Sequence, residues 1–101
     1  MSSRIPDINA GVERFRATPG AVLLDVRSES EYAQGHIPGS VNFPLADIDA
    51  VEGEIEDYAT PLFVHCLSGN RSCQAVAALE EMGYTDVTDI GGIDKYRGEK
   101  E

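Results

Sequence analysis

The chain has 101 residues, of which 42% are apolar and 26% charged; this is the composition of an ordinary globular protein with one modest core. Eighteen acidic against eight basic residues give a net charge of −10, which excludes a nucleic-acid partner because phosphates demand a basic surface. No apolar run approaches the ~20 residues of a bilayer span, which excludes a membrane-spanning role. The stretch from Met1 to Asp7 has no apolar signal-peptide core, so a cytoplasmic protein is expected, folded as a single domain over residues 1–101.

In chain order, Ile8, Val12 and Phe15 recur at helical spacing over residues 8–17, and Thr18-Pro19-Gly20 ends that element. Ala21 to Val26 is a nearly continuous apolar run, the pattern of a strand buried on both faces. Ser28 and Glu31 have the spacing of a capping box, predicting a short helix that Gly35 stops before Pro38-Gly39 turns the chain. Val41 to Phe43 reads as a short strand. Leu45, Ile48, Val51, Ile55 and Tyr58 predict an amphipathic helix over 45–58, with Gly53 as a break. Leu62 to His65 reads as a strand, Ser72 to Met82 as the clearest helix, ended by Gly83, and Asp86 to Ile90 as a last strand. Gly91-Gly92 is read as a turn into a small helix carrying Ile93 and Tyr96, with Gly98 to Glu101 as a frayed tail. Alternating strands and helices predict an α/β fold, a small, largely parallel sheet with helices on both faces.

The chemistry gathers at "HCLSGNRS", residues 65–72. Cys66 stands at the carboxyl end of a strand and before a helix, where α/β proteins bind ligands and where free amides and the helix dipole favour an anion. That position predicts a thiol ionising more readily than a free cysteine. Gly69 allows the loop to curl, and the amides of Leu67, Ser68, Gly69, Asn70, Arg71 and Ser72 are expected to point at the sulfur as an anion nest. Arg71 is expected to face the site as a planar fork for an oxyanion, and Ser72 to cap the helix or donate to the thiolate. Together these residues describe an activated nucleophile in an anion-binding loop. Cysteine phosphatases separate cysteine and arginine by five residues; here four intervene, a ring better fitted to one sulfur atom than to a phosphoryl group.

Three stretches resemble the rhodanese family of thiosulfate sulfurtransferases in its single-domain form, spanning about residues 21–96. They are "LLDVRSESEYAQGHIPGSVNFPL", "FVHCLSGNRS" and "DIGGIDKY". The resemblance implies a small rhodanese-like α/β domain that moves a sulfane sulfur through a persulfide on Cys66. The donor is thiosulfate or another small anion, the acceptor cyanide or a thiol, and no cofactor is required. Two positions depart from the family pattern: His65, where an aromatic residue is common, and Tyr96, where tryptophan is usual.

Other polar residues are read structurally first. Alternation along a strand sends His65 and Cys66 to opposite faces, which favours packing over a general-base role for His65. His36 shapes the turn at Pro38. Asp25 and Arg27, at the end of the first buried strand, are read as a supporting pair, with Arg27 near enough to the mouth to draw in an anion. Cys73 falls in step with Val76 and Leu79 and is expected in the core rather than acting as a resolving thiol. The acids from Asp47 to Asp57 form a solvated face without ligand spacing, and no metal is expected. Besides the sulfurtransferase, two functions remain open: a persulfide carrier or sensor that delivers sulfur to a protein partner, and a cysteine phosphatase or arsenate reductase, against which the short loop counts.

Overall fold

The computed structural model describes residues 3–101; Met1 and Ser2, part of the N-terminal stretch considered above, lie outside the described residues. The elements are β1 (Ser3–Arg4), α1 (Ile8–Ala17), β2 (Val22–Asp25), α2 (Glu29–Gln34), β3 (Ser40–Asn42), a 3₁₀ segment (Leu45–Gly53), β4 (Leu62–Cys66), α3 (Asn70–Met82), β5 (Val87–Gly92) and a short 3₁₀ turn (Ile93–Lys95). The strands form one sheet in the order β1-β5-β4-β2-β3, with every pairing parallel. The α/β class and the parallel sheet follow the sequence reading, and β1 is an added edge strand that two polar residues did not signal.

Period-two alternation divides the sheet between two cores. Leu24, Val26, Leu62, Val64 and Cys66 turn to the face covered by α3 and the 3₁₀ segment, where they meet Val76, Leu79, Ile48 and Val51. Leu23, Phe63 and Ile90 turn to the other face and pack under Ile8 and Val12 of α1. In register, Leu23 lies beside Phe63 and Leu24 beside Val64, so each apolar run is buried on both sides, as its continuity predicted.

The local stops act as read. Ser28 and Glu31 form a complete capping box, and α3 ends at Gly83 in the left-handed region, φ 111°. Three expectations are corrected. The segment 45–58 is not one amphipathic α-helix but a 3₁₀ helix that ends at Gly53, with Tyr58 exposed. Leu45, Ile48 and Val51 are spaced by three, which aligns them on a three-residue turn and not on a 3.6-residue one. Gly91 and Gly92 belong to β5, where a register shift opposite Val64 and His65 and a left-handed Gly91 (φ 93°) make a bulge. The end of the chain is tied down, not frayed. Its Glu101 exchanges backbone hydrogen bonds of 2.7 and 3.0 Å with His36, and the amide of Arg97 donates to Asn9 Oδ1 at 2.8 Å. Both partners lie more than sixty residues away, so no local pattern announced them.

Candidate active site

The carboxyl ends of β2, β4 and β5 converge on the loop after Cys66. Cys66 closes β4 and is 1% exposed, its side chain set at the top of the core under α3. Gly69, in the left-handed region at φ 103°, bends the loop so that its own amide donates to Cys66 Sγ at 3.0 Å. Ser72, one turn into α3 and fully buried, places Oγ 3.6 Å from the sulfur. The sulfur is thus sheltered as expected, and among the described contacts Gly69 is the loop amide within hydrogen-bond distance of it. In this geometry Cys66 Sγ donates to Ser72 Oγ. Leu67, Ser68 and Asn70 form the exposed rim, and the carbonyl of Leu67 accepts from the amide of Asp94 at 3.1 Å. Gly92 makes this closeness possible: a Cβ there would collide with Leu67 O and come within 2.7 Å of Ser68 Cα.

Arg71 does not present an open fork to the loop. Its guanidinium is bound by both oxygens of Glu31, Nη1 to Oε1 at 2.6 Å and Nη2 to Oε2 at 2.9 Å. Glu31 was legible as a capping residue, and its second role came from the fold bringing α2 beside α3. Arg71, together with the amide and hydroxyl of Ser28, holds the Glu31 carboxyl at about 2 against an ordinary 4.5. A depressed folded value means that the pair's contribution is complete above the unfolded value and disappears as pH falls through the folded one. The stability difference between wild type and Glu31→Gln, followed by urea unfolding, should therefore be constant from neutrality to about pH 5 and shrink towards pH 2. A difference that does not change with pH would contradict this pairing.

Asp25 and Arg27 are the supporting pair that the sequence suggested. Arg27 donates from Nε to Asp25 Oδ1 at 3.0 Å and from Nη2 to Oδ2 at 2.7 Å, and Nη2 also reaches Gly35 O at 2.8 Å. Both residues are buried, which ties the strand end to the turn after α2. His65 lies behind the site with Nδ1 3.1 Å from Cys66 O. A carbonyl only accepts, so Nδ1 carries the proton, and the unpartnered Nε2 lies 3.7 Å from Asp25 Oδ2. Burial pushes the His65 pKa down despite the nearby Asp25 carboxylate, so the ring is neutral and structural. His36 stacks on Tyr32, centroids 3.9 Å apart, and shapes the turn as expected.

Cys73 is corrected: it is exposed, not in the core. The buried stripe of α3 runs Ser72, Ala75, Val76, Leu79, and two steps of three residues carry Cys73 roughly 120° from Leu79 on a 3.6-residue helix. The residue that sequence reasoning missed is Asp89 on β5, whose Oδ1 accepts from Ser72 Oγ and from the amide of Gly91, both at 3.0 Å. Nothing in the local sequence around Asp89 distinguishes it from a surface acid. Among the described residues, no group of three or more His, Cys, Asp or Glu side chains is gathered to hold a metal, and no helix is long and apolar enough to cross a membrane.

The model of the rhodanese-like domain matches residues 10–99. The chain is 37% identical over 71 residues to the thiosulfate sulfurtransferase PspE of Escherichia coli (strain K12), covering 69% of this chain and 68% of that protein. It is 40% identical over 98 residues to the thiosulfate sulfurtransferase GlpE of Pseudomonas savastanoi pv. phaseolicola, covering 93% of this chain and 86% of that protein. A solved rhodanese with anions from E. coli superposes with a TM-score of 0.74 at 33% identity, covering 80% of this chain and 96% of that one. A matching domain model over most of the chain, with relatives this similar along most of their own length, places the protein in the rhodanese-like domain family.

Proposed function

We propose that this protein is a sulfurtransferase that takes a sulfane sulfur from thiosulfate, or from a similar small anionic donor, onto Cys66 and hands it to a nucleophilic acceptor. The observation that carries the reading is the position of Cys66 Sγ, at a strand end under a four-residue loop, with the Gly69 amide 3.0 Å away. In the first half-reaction the Cys66 sulfur, once deprotonated, attacks the outer sulfur of thiosulfate. The donor's S–S bond breaks, sulfite leaves with the electron pair, and a Cys66 persulfide remains. In the second, cyanide or a thiolate attacks the terminal sulfur, and the Cys66 thiolate departs as the leaving group. The Gly69 amide is placed to stabilise charge on the sulfur in both steps. Leu67, Ser68 and Asn70 at the rim receive the donor, while Arg71, half-shielded by Glu31, contributes positive potential against the net charge of −10. The reaction so written needs neither cofactor nor metal.

Steady-state thiocyanate formation from thiosulfate and cyanide tests the proposal. Parallel double-reciprocal plots are expected, since the two substrates meet the enzyme in separate half-reactions. Hydrolysis of p-nitrophenyl phosphate without sulfur transfer would reverse the reading. A persulfide that forms but resists small nucleophiles, and is discharged only by a protein, would establish a carrier instead.

A further inference from the structure

We propose that Asp89 is a positioning residue for Cys66: it holds the one hydroxyl proton of Ser72 away from the sulfur and so keeps the resting cysteine a thiol. Ser72 Oγ has three partners, Cys66 Sγ at 3.6 Å, Gly69 O at 3.1 Å and Asp89 Oδ1 at 3.0 Å. A serine hydroxyl donates once. The carbonyl and the carboxylate are both acceptors, so the proton goes to one of them and a lone pair faces Cys66. Asp89 is the stronger competitor because its bond is charge-assisted. A Cys66 anion gains a second donor beside the Gly69 amide only when Ser72 turns its proton to the sulfur and gives up Asp89.

The device is built into the sheet. The β5 bulge turns the Gly91 amide onto Asp89 Oδ1 at 3.0 Å, which fixes the carboxylate towards α3. Asp89 also lines an open cleft with Ser68, Gly69 and Asn70, so the carboxylate that governs Ser72 borders the proposed donor-binding rim. The other charged groups at this end of the sheet are Arg71 of α3, paired with Glu31 of α2, the Asp25–Arg27 pair of β2 beneath the loop, with neutral His65 of β4 behind it, and Arg4, Asp94 and Lys95, which line the same cleft as Asp89. None of them hydrogen-bonds Ser72 among the described contacts.

The proposal rests on the sulfur-transfer reading only for its consequence in turnover, and its test uses no sulfur donor. The probe is iodoacetamide, with the alkylation rate of Cys66 followed against pH in a Cys73→Ser background that silences the exposed second thiol. Asp89→Ala is expected to move the midpoint of the profile down by about one pH unit, roughly tenfold faster alkylation below the midpoint, with the high-pH plateau unchanged. In a Ser72→Ala background the same substitution is expected to shift the midpoint by less than half as much, because the hydroxyl that transmits the effect is gone. Asp89→Asn keeps an oxygen for the Gly91 amide and should shift the midpoint in the same direction if Asp89→Ala does not fold. An unmoved or raised midpoint would overturn the proposal, as would an equal shift without Ser72, which would make Asp89 a through-space charge. A purely structural Asp89 would lower thermal stability and leave the profile in place. Loss of thiocyanate formation in the wild type would refute the sulfur-transfer reading without touching any of these outcomes.

Discussion

Cys66→Ala is expected to lower thiocyanate formation by about four orders of magnitude or more, to the uncatalysed background, while the domain stays folded. Both half-reactions pass through this sulfur, so its removal leaves no partial route; deleting a nucleophile costs far more than deleting a group that tunes it. The expected structural cost is small. Cys66 occupies a buried position, but the change removes one atom, and the hydrogen bonds it breaks leave the Gly69 amide at the loop surface and Ser72 still bonded to Gly69 O and Asp89. A loss of about 1 kcal/mol is expected, read by urea unfolding alongside the assay. Cys73→Ala is the internal control, since Cys73 is exposed and off the buried stripe of α3, and should leave turnover within about twofold. Retained transfer in Cys66→Ala, or its collapse in Cys73→Ala, would move the chemistry to the other thiol.

The largest effect on stability is expected at Asp25. Its carboxylate is wholly buried and accepts from the Arg27 amide, Nε and Nη2. In Asp25→Ala the guanidinium stays buried with Gly35 O as its remaining partner, and leaving one member of a buried pair uncompensated costs about 3–5 kcal/mol. A domain's whole stability is about 5–15 kcal/mol, so the variant should unfold at much lower urea. The pair itself is worth less than its breakage implies. Asp25→Leu combined with Arg27→Met removes both charges and should recover part of the loss. A cost below about 1 kcal/mol for Asp25→Ala alone would show that Arg27 finds water, contrary to its burial.

The sequence carried the parts of this fold that depend on near neighbours. Two continuous apolar runs, Ala21 to Val26 and Leu62 to His65, are buried on both faces as β2 and β4, and the position of Cys66 at a strand end before a helix followed from them. The Ser28 capping box and the Gly83 stop are likewise local chemistry. What escaped depends on contacts across the chain. Arg71 was read as a free fork because Glu31 lies forty residues away, and Asp89 was unremarked because only the sheet brings β5 beside α3. Cys73 was misplaced for a different reason: a spacing of three was extended over two steps, where a 3.6-residue turn no longer keeps the same face. The 3₁₀ segment reverses that error, since there the spacing of three was the true period.

Intact-mass analysis of the protein after incubation with thiosulfate tests the central claim most directly. A gain of about 32 Da, one sulfur atom, is expected on wild type and on Cys73→Ala, absent from Cys66→Ala, and discharged by cyanide with return to the starting mass. An unchanged wild-type mass at saturating thiosulfate, or a gain that survives the loss of Cys66, would contradict it.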